Sequence, residues 1–297
     1  MSTDGKPPQV PKTIGRYKVV RLLGTGCMGS VFLGHDDDEL RVAIKVMTAP
    51  AAVKKYEWAG KLQTDIDHPN VMKYRELPFD ARYQYLVVTD YLDVVPATFD
   101  PLKSRTFEEI VEIYAKAADA LAFLESKGVQ HGNVKPSNVL VRRAKGEFQP
   151  MISDGGLRYV YEPGHVKDAV AAGIFPYMAP EHLEAFTKAA KTEQPASSAG
   201  DVYSLAVGFV EAMTGSTPFK MHVDKPGDPK EELLAKQKKR YRMIFKNDAS
   251  TPIDPKKVDD VMQRALSQDP AKRPAMKTLG AELRATLDAA KLAALSK

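Results

Sequence analysis

The chain has 297 residues, enough for one large domain or two packed lobes, and its 43% hydrophobic and 27% charged content is typical of a soluble globular protein. The formal net charge of +5 is too small to argue for a nucleic-acid or membrane partner, and the single cysteine, Cys27, excludes an intramolecular disulfide framework. The sequence has no apolar stretch long enough to span a bilayer and no hydrophobic signal region at its start, so we expect a cytoplasmic protein.

The amino-terminal third of the sequence has the pattern of a small β-rich lobe. Residues 1–15 contain three prolines and few apolar side chains, which predicts a flexible leader with regular structure from Arg16 onward. Between residues 17 and 47, short β-branched runs are broken by glycines and by an acidic turn at 36–38, which predicts three antiparallel strands. Residues 51–66 have a looser helical spacing that stops at the sequence DHPN, and YQYLVVTDYL then returns to a strand. We place this lobe at residues 16–91.

The remainder of the chain, residues 92–297, is predicted to be mostly helical. The segment FEEIVEIYAKAADALAFLESKG repeats apolar residues at intervals of three and four and ends at Gly128. SAGDVYSLAVGFVEAMTG is apolar on almost every side, which indicates a buried helix. The final LGAELRATLDAAKLAALSK has leucines at helical spacing and predicts a terminal helix. The fold class is therefore α+β, with a β-rich lobe followed by a larger α-rich lobe.

Two motifs in the first lobe point to phosphate binding. The sequence GTGCMGSV places Gly24, Gly26 and Gly29 in a turn between two strands, where backbone N–H groups can approach phosphate oxygens because no Cβ intervenes. Alone, such a hairpin is more often an ordinary turn. The sequence VAIK at 42–45 then supplies a lysine, Lys45, directed at the same phosphates. The apolar residues before Lys45 disfavour an exposed surface position.

Two motifs in the second lobe point to a metal site. HGNVKPSNVLV at 131–141 is followed at a short spacing by MISDGGL at 151–157. Asn138 and Asp154 in these segments both supply hard oxygen ligands, and this arrangement is typical of Mg²⁺ binding in phosphoryl transfer.

Taken with YMAPE at 177–181, GDVYSLAVGFVEAMTG at 200–215 and DPAKRP at 269–274, these motifs make the chain resemble the protein-kinase family, most closely bacterial serine/threonine kinases. The resemblance covers roughly residues 16–285. It implies a bilobal protein-kinase-like fold, with one regulatory helix in a small antiparallel β-rich N-lobe and a larger α-helical C-lobe. It also implies ATP or ADP as ligand, with Mg²⁺ as the metal, and a protein partner of unknown identity.

The resemblance assigns roles to individual residues. Glu181 and Arg273 match a buried ion pair of structural importance. Asp201 matches a carboxylate that accepts hydrogen bonds from the catalytic-loop backbone, with a simple helix cap as the alternative. Lys135 matches a phosphate contact in the catalytic loop. The implied nucleotide-binding residues are Gly24, Gly26, Gly29, Val31, Ala43, Lys45, Glu57 as partner of Lys45, Thr89 as gatekeeper, and Leu140.

Several positions depart from the family's pattern. Asn133 occupies the place of the catalytic aspartate, and an amide has no useful basicity. Gly132 replaces an arginine that pairs with a phosphate on the activation segment, and no serine or threonine occurs between residues 157 and 178. Ile174 replaces a threonine that bonds the catalytic aspartate. Gly155 replaces the anchor that follows the metal-binding aspartate. These replacements indicate a coordinated loss of the catalytic switch, that is, of the catalytic base together with the residues that activate it.

The sequence leaves three hypotheses open. The leading hypothesis is a pseudokinase that binds nucleotide and serves as a signalling or scaffolding module. The second is a slow but true serine/threonine kinase that transfers the γ-phosphate of ATP, because phosphoryl transfer depends mainly on positioning and electrostatics. The third is an interaction module that no longer binds nucleotide.

Overall fold

The computed structural model describes residues 10–26, 29–47, 66–76, 79–80, 82, 84–98, 102, 105–144, 146–154, 173–187, 197–219 and 253–295. The described residues within 1–66 and 72–93 form one compact unit, and those within 67–71 and 94–297 form a second. The first unit is built from antiparallel strands and the second mainly from helices, which confirms the predicted fold class. Of the helix predicted over 51–66, all but Ile66 lies outside the described residues.

The first unit contains a mostly antiparallel meander. Its strands are β1 (Thr13–Ile14), β2 (Tyr17–Gly26), β3 (Gly29–His35), β4 (Arg41–Met47), β5 (Tyr74–Glu76), β6 (Phe79–Asp80) and β7 (Gln84–Asp90). The order across the sheet is β1-β2-β3-β4-β7-β5, and β6 pairs separately with β7. The three predicted strands correspond to β2, β3 and β4, and the strand predicted in YQYLVVTDYL is β7. The acidic turn between β3 and β4 is closed by Asp36, whose Oδ1 accepts the N–H groups of Asp38 and Leu40.

The core of the first unit lies on one face of this sheet. Val42, Ile44 and Val46 alternate along β4 toward that face, because successive side chains of a strand point to opposite sides. Ile14, which is fully buried, belongs to the same cluster. The expectation that regular structure begins at Arg16 is therefore wrong by a few residues. Burial of one such aliphatic side chain contributes about 1.5–3 kcal/mol, which ties β1 to the sheet.

The helices with described bounds in the second unit include the three predicted from the sequence. They are α1 (Phe107–Ser126), α2 (Pro180–Thr187), α3 (Ser198–Thr214), α4 (Pro255–Ala265) and α5 (Met276–Leu295), with short 3₁₀ helices at Phe175–Tyr177 and Pro270–Lys272. A capping box opens α1, since the Thr106 hydroxyl accepts the Glu109 N–H and the Glu109 carboxylate accepts the Thr106 N–H. Gly128, at φ +76°, follows its end as predicted.

Helix α3 is the central element of the second unit. It is buried on nearly all sides, with Asp201, Tyr203 and Phe209 among the buried residues, and it packs against α1, α4 and α5. Phe209 meets Tyr114 of α1 edge to face, with ring centroids 5.3 Å apart. The buried helix predicted from SAGDVYSLAVGFVEAMTG is confirmed. No helix in the described part of the chain has the length and hydrophobicity that a membrane crossing requires.

A three-stranded sheet in the second unit was not predicted. It consists of β8 (Val95–Pro96), β9 (Val139–Ala144) and β10 (Glu147–Ile152), in the order β10-β9-β8 with antiparallel pairing. The loop 131–138 enters β9, and residues 153–154 leave the far end of β10. Because Ile152 pairs directly with Val139, the hairpin brings the loop 131–138 and residues 153–154 to the same end of the sheet.

Candidate functional site

The glycine-rich motif forms the hairpin between β2 and β3. Gly26 pairs directly with Gly29, and Gly24 pairs with Val31. Gly29 has φ +142°, a conformation that favours glycine. At Gly24 an added Cβ would meet no described atom within 4 Å, so packing in the described part of the chain does not demand a glycine there. Without Cβ atoms at these three positions, a phosphate group can approach the backbone N–H groups closely.

Four predicted nucleotide contacts lie on one face of the first unit's sheet. Ala43 and Lys45 are two positions apart on β4, so their side chains point to the same side. Val31 lies directly opposite Lys45, and Thr89 lies directly opposite Ala43, so both share that side. Ile44, between the two, is fully buried in the hydrophobic core on the other face. Strand register thus gathers an ammonium group, a hydroxyl and small apolar side chains on the face that the core does not use.

In the second unit, the carboxylate of Asp201 holds the loop 131–138. Its two oxygens accept the N–H groups of His131 and Gly132, each at 2.8 Å. Asp201 is 6% exposed, and hydrogen bonds to a charged acceptor are roughly twice as strong as those between neutral groups. The cap of α3 is Ser197, not Asp201. The carboxylate is therefore committed to fixing the start of the loop.

The backbone of this loop needs an unusual conformation at Gly132. Its φ is +70°, where a residue with a Cβ costs roughly 1–2 kcal/mol. The preceding His131 is 2% exposed, and burial lowers the pKa of its imidazole to about 4. The ring is therefore neutral at pH 7. Its Nδ1 accepts the Asn133 N–H at 3.2 Å, and its Nε2–H donates to the Ser153 carbonyl at 2.9 Å, which fixes the tautomer.

Four hydrogen bonds form a closed ring, of which two lie within the loop and two join the loop to Ser153, directly after β10. Two are the bonds of His131 to Asn133 and Ser153. The Ser153 N–H donates to the Asn138 carbonyl at 2.9 Å, and the Asn138 Nδ2 donates to the Asn133 carbonyl at 2.8 Å. Asn133 and Asn138 are 6% and 4% exposed. The backbone at residue 133 is thus firmly held, while its side chain presents an amide that cannot take up a proton at neutral pH.

Asn138 and Asp154 are the candidate metal ligands. Because the Asn138 amide nitrogen donates to a carbonyl, its Oδ1 is the atom left for a cation. Asp154 is half-buried and has φ +56°. Among the described residues, no cluster of three or more His, Cys, Asp or Glu could hold a metal. Mg²⁺ commonly takes one or two carboxylates together with substrate phosphates. Asn138 and Asp154 therefore suit a Mg²⁺ ion that is also bound by nucleotide phosphates better than a Mg²⁺ ion that is bound by protein ligands alone.

Lys135 and Leu140 flank these ligands. The Lys135 carbonyl accepts the N–H groups of Asn138 and Val139, at 2.8 and 3.0 Å, which forms the turn that presents Asn138. The Lys135 side chain is half-buried. Leu140, also half-buried, lies on β9 opposite Met151 of β10.

Glu181 and Arg273 form a bidentate ion pair, with N–O distances of 2.7 and 2.8 Å. The Arg273 side chain is completely buried and also donates to the carbonyls of Ser267, Ala199 and Gln268. Burial opposes ionisation of Glu181, but the hydrogen bonds and charge of Arg273 outweigh it and lower the pKa of Glu181. The pair joins α2 to the turn before α5.

The segment before α2 is anchored to α3 through Tyr177. Its hydroxyl donates to the Glu211 carboxylate at 2.5 Å, and its carbonyl accepts the Ser204 hydroxyl at 2.8 Å. Burial, with the hydrogen bond and charge of Glu211, raises the pKa of Tyr177. Ile174, the residue in the place of a threonine, is 8% exposed. Tyr177 therefore docks this segment on α3 through its hydroxyl and its carbonyl.

Some residues singled out from the sequence lie outside the described residues. They are Cys27, Glu57 and Gly155.

Comparison with known proteins identifies the architecture. The model of the protein kinase domain matches residues 17–282. The chain belongs to the protein kinase family. Kinases similar to it include the serine/threonine-protein kinase PknD of Mycobacterium tuberculosis, 25% identical over 92% of this chain and 39% of PknD. Another is PkaB of Streptomyces coelicolor, 28% identical over 92% of this chain and 63% of PkaB. The kinase/endoribonuclease ire-1 of Caenorhabditis elegans is 30% identical over 68% of this chain and 21% of ire-1.

This kinase domain spans less than two thirds of the length of each of these relatives. The family as a whole binds ATP and Mg²⁺. The assignment accounts for the order of motifs from the glycine-rich hairpin to Arg273.

Sequence reasoning missed two contacts of this kinase domain. The hydrogen bonds of Ser153 to the loop and of Tyr177 to Glu211 connect residues 15 and 34 positions apart. The serine before Asp154 and the tyrosine in YMAPE were visible in the sequence, but no spacing rule pairs either with its partner.

Proposed function

We propose that this kinase domain is a pseudokinase, which binds ATP or ADP and acts as a conformational or scaffolding module in signalling. The observation that carries the proposal is Asn133, a buried amide at the position where the family uses an aspartate. Its backbone is fixed by hydrogen bonds to His131 and Asn138, and the residue is 6% exposed. The loop 131–138 is held by hydrogen bonds, but the carboxylate that would accept a proton at residue 133 is missing.

The chemical cost of this replacement follows from general-base catalysis. A carboxylate orients the acceptor hydroxyl and takes its proton as the phosphoryl group is transferred. An amide has no such basicity, and loss of a general base commonly lowers a rate by about 10²- to 10⁴-fold. Ile174 deepens the loss, since its aliphatic side chain cannot make the hydrogen bond that the family's threonine makes. Gly132 likewise cannot bind a phosphate on the activation segment.

The residues that would bind nucleotide are retained. In the proposal, Gly24, Gly26 and Gly29 take the phosphates through backbone N–H groups, and Lys45 contributes the positive charge. In the first unit, Val31 and Ala43 contact the adenine and Thr89 borders it. In the second unit, Leu140 is the residue assigned to adenine contact.

In the second unit, Asn138 and Asp154 hold Mg²⁺, which supplies charge neutralisation of the phosphates when bound. Lys135 adds a second ammonium group. Glu57 remains the proposed partner of Lys45. We also propose that the N-lobe ends at residue 91 and is followed by a C-lobe at 92–297, and that the protein has a cytoplasmic location and a protein partner.

A slow serine/threonine kinase is the second candidate. The observation in its favour is that the loop 131–138 is held by Asp201, and that the ion pair of Glu181 and Arg273 is formed; a working kinase also needs both contacts. The curated relatives named above are serine/threonine kinases. Because phosphoryl transfer depends mainly on positioning and charge, a loop held this well could sustain a low rate without its base.

One experiment separates the candidates. Nucleotide binding is measured by calorimetry, and transfer from labelled ATP to a generic acceptor is measured on the same sample, with and without Mg²⁺. The pseudokinase proposal expects binding together with transfer no faster than in Asp154→Ala. Transfer that disappears in Asp154→Ala and in Lys45→Ala would instead establish the slow kinase. Failure of ATP to bind or to raise the melting temperature would leave only an interaction module.

A further inference from the structure

The aspartate that would bind metal sits on a strained backbone. Asp154 has φ +56°, a conformation that residues other than glycine adopt rarely and that persists only where the surroundings impose it. The family places an apolar anchor directly after this aspartate, but the sequence here continues with Gly155 and Gly156. A glycine offers no side chain for packing, so the constraint on Asp154 must come from elsewhere.

The residue before it, Ser153, makes three hydrogen bonds to the loop 131–138. Its N–H donates to the Asn138 carbonyl at 2.9 Å, and its hydroxyl donates to the same carbonyl at 3.3 Å. Its own carbonyl accepts from the His131 Nε2 at 2.9 Å. The backbone donor, the backbone acceptor and the side chain of one residue are thus all used on the same loop.

The chain is equally well fixed on the amino-terminal side of Ser153. Ile152 is 2% exposed, and its N–H donates to the Asn70 carbonyl at 2.8 Å. The Asn70 side chain donates in turn to the Pro150 carbonyl at 2.8 Å. Ser153 therefore belongs to a segment that is hydrogen-bonded on both sides, and it is directly followed by the carboxylate-bearing Asp154.

We propose that Ser153 is a positioning residue that couples the two metal ligands, Asn138 and Asp154, in place of the missing anchor at residue 155. The coupling is geometric. Asn138 is bonded through its carbonyl to Ser153, and Asp154 is covalently attached to Ser153. Any shift of the segment after β10 is resisted by both the backbone bond and the hydroxyl bond.

This inference rests on the proposed function, because it concerns how Mg²⁺ and nucleotide are held. It predicts a specific defect on removal of the hydroxyl. Ser153→Ala keeps both backbone bonds but loses the bond from Oγ, so Asp154 gains freedom without loss of the fold. A neutral hydrogen bond of this kind corresponds to about a three- to tenfold change in an equilibrium constant.

The test uses calorimetric titration of a non-hydrolysable ATP analogue with and without MgCl₂. The matched control is Ser126→Ala, because the Ser126 hydroxyl also donates to a carbonyl of the second unit, that of Phe123, at 2.7 Å. We expect Ser153→Ala to weaken the Mg²⁺-dependent affinity about three- to tenfold and the Mg²⁺-free affinity less than about twofold. Ser153→Thr, which restores a hydroxyl, should recover the wild-type affinity, and Ser126→Ala should match wild type throughout.

A purely structural serine would lower both affinities alike, and that result would overturn the inference, as would unchanged Mg²⁺ dependence in Ser153→Ala. A second measurement needs no ligand. Amide hydrogen exchange of the peptide that covers residues 151–154 should be faster in Ser153→Ala than in Ser126→Ala, and equal exchange would also overturn the inference. If wild-type protein binds no nucleotide, the proposed function fails, while the exchange experiment still decides the role of Ser153.

Discussion

Replacement of Asp201 by asparagine tests whether the Asp201 carboxylate holds the loop 131–138 in place. The substitution preserves size and shape, but it exchanges one carboxylate oxygen for an NH₂ group. Both oxygens are in use, since they accept the N–H groups of His131 and Gly132 at 2.8 Å each. An asparagine can accept only one of these bonds, and its NH₂ group faces the other N–H. One backbone donor of a buried loop is then left opposite another donor.

The magnitude follows from the strength of the bonds. A hydrogen bond to a charged group contributes about 1.5–3 kcal/mol to the free energy of unfolding. A buried donor that is left without an acceptor lowers it by a further amount of about 1–3 kcal/mol. Relaxation of the loop will recover part of this sum. We therefore expect Asp201→Asn to lower the free energy of unfolding by about 2–4 kcal/mol, a large part of the total for a domain. Because the same loop carries Asn138, nucleotide affinity in Mg²⁺ should fall as well.

The assay is urea denaturation at pH 7, followed by calorimetric titration with ADP and MgCl₂. Asp254→Asn is the matched control, because the Asp254 carboxylate only caps α4 by accepting the Lys256 N–H at 3.0 Å. Asparagine and aspartate are about equally good caps, so the control should lie close to wild type. If Asp201→Asn is as stable as Asp254→Asn, the loop is not held by this carboxylate.

Three further predictions concern stability and activity. Arg273→Ala should lower the free energy of unfolding by about 3–5 kcal/mol, because it removes a completely buried guanidinium group and leaves the half-buried Glu181 carboxylate without that cation, whereas Arg264→Ala, which breaks an exposed pair with N–O distance 2.7 Å, should cost about 1 kcal/mol or less; equal losses in denaturation would contradict this. His131 binds a proton near pH 6.5 when unfolded but only at about 4 when folded, so stability should fall as pH drops through this window, by about 3 kcal/mol in total. His131→Gln should remove that part of the pH dependence, and an identical pH profile would refute the assignment. Asn133→Asp alone should raise phosphate transfer by less than about 10²-fold, the lower bound for a general base, and adding Ile174→Thr should raise it further; a single variant as active as the double would show that Ile174 is harmless.

Local sequence rules predicted the elements that they govern. The strands β2, β3 and β4 follow from β-branched runs separated by glycine and by the turn at Asp36. The predicted end of α1 follows from the glycine at 128, where φ is +76°. In each case the sequence feature lies within a few residues of the strand or helix that it specifies.

Contacts between distant residues could not be predicted in the same way. The hairpin of β9 and β10 was missed because the adjacent arginines 142 and 143 and Pro150 interrupt the alternation expected of a strand. The position of Ile14 in the core depends on a pairing with Tyr17 that only the folded sheet reveals. The resemblance to kinases supplied the roles of Asp201 and Arg273, which composition and periodicity alone would not have given.

The ion pair between Glu181 and Arg273 also bears on how the chain matures during translation. The two residues are 92 positions apart, so the glutamate leaves the ribosome long before its counter-ion is made. At roughly 5–20 residues per second, the delay is about 5–20 s. During that interval the Glu181 carboxylate of a nascent chain lacks its arginine, so the step that joins α2 to the turn before α5 must wait until Arg273 emerges.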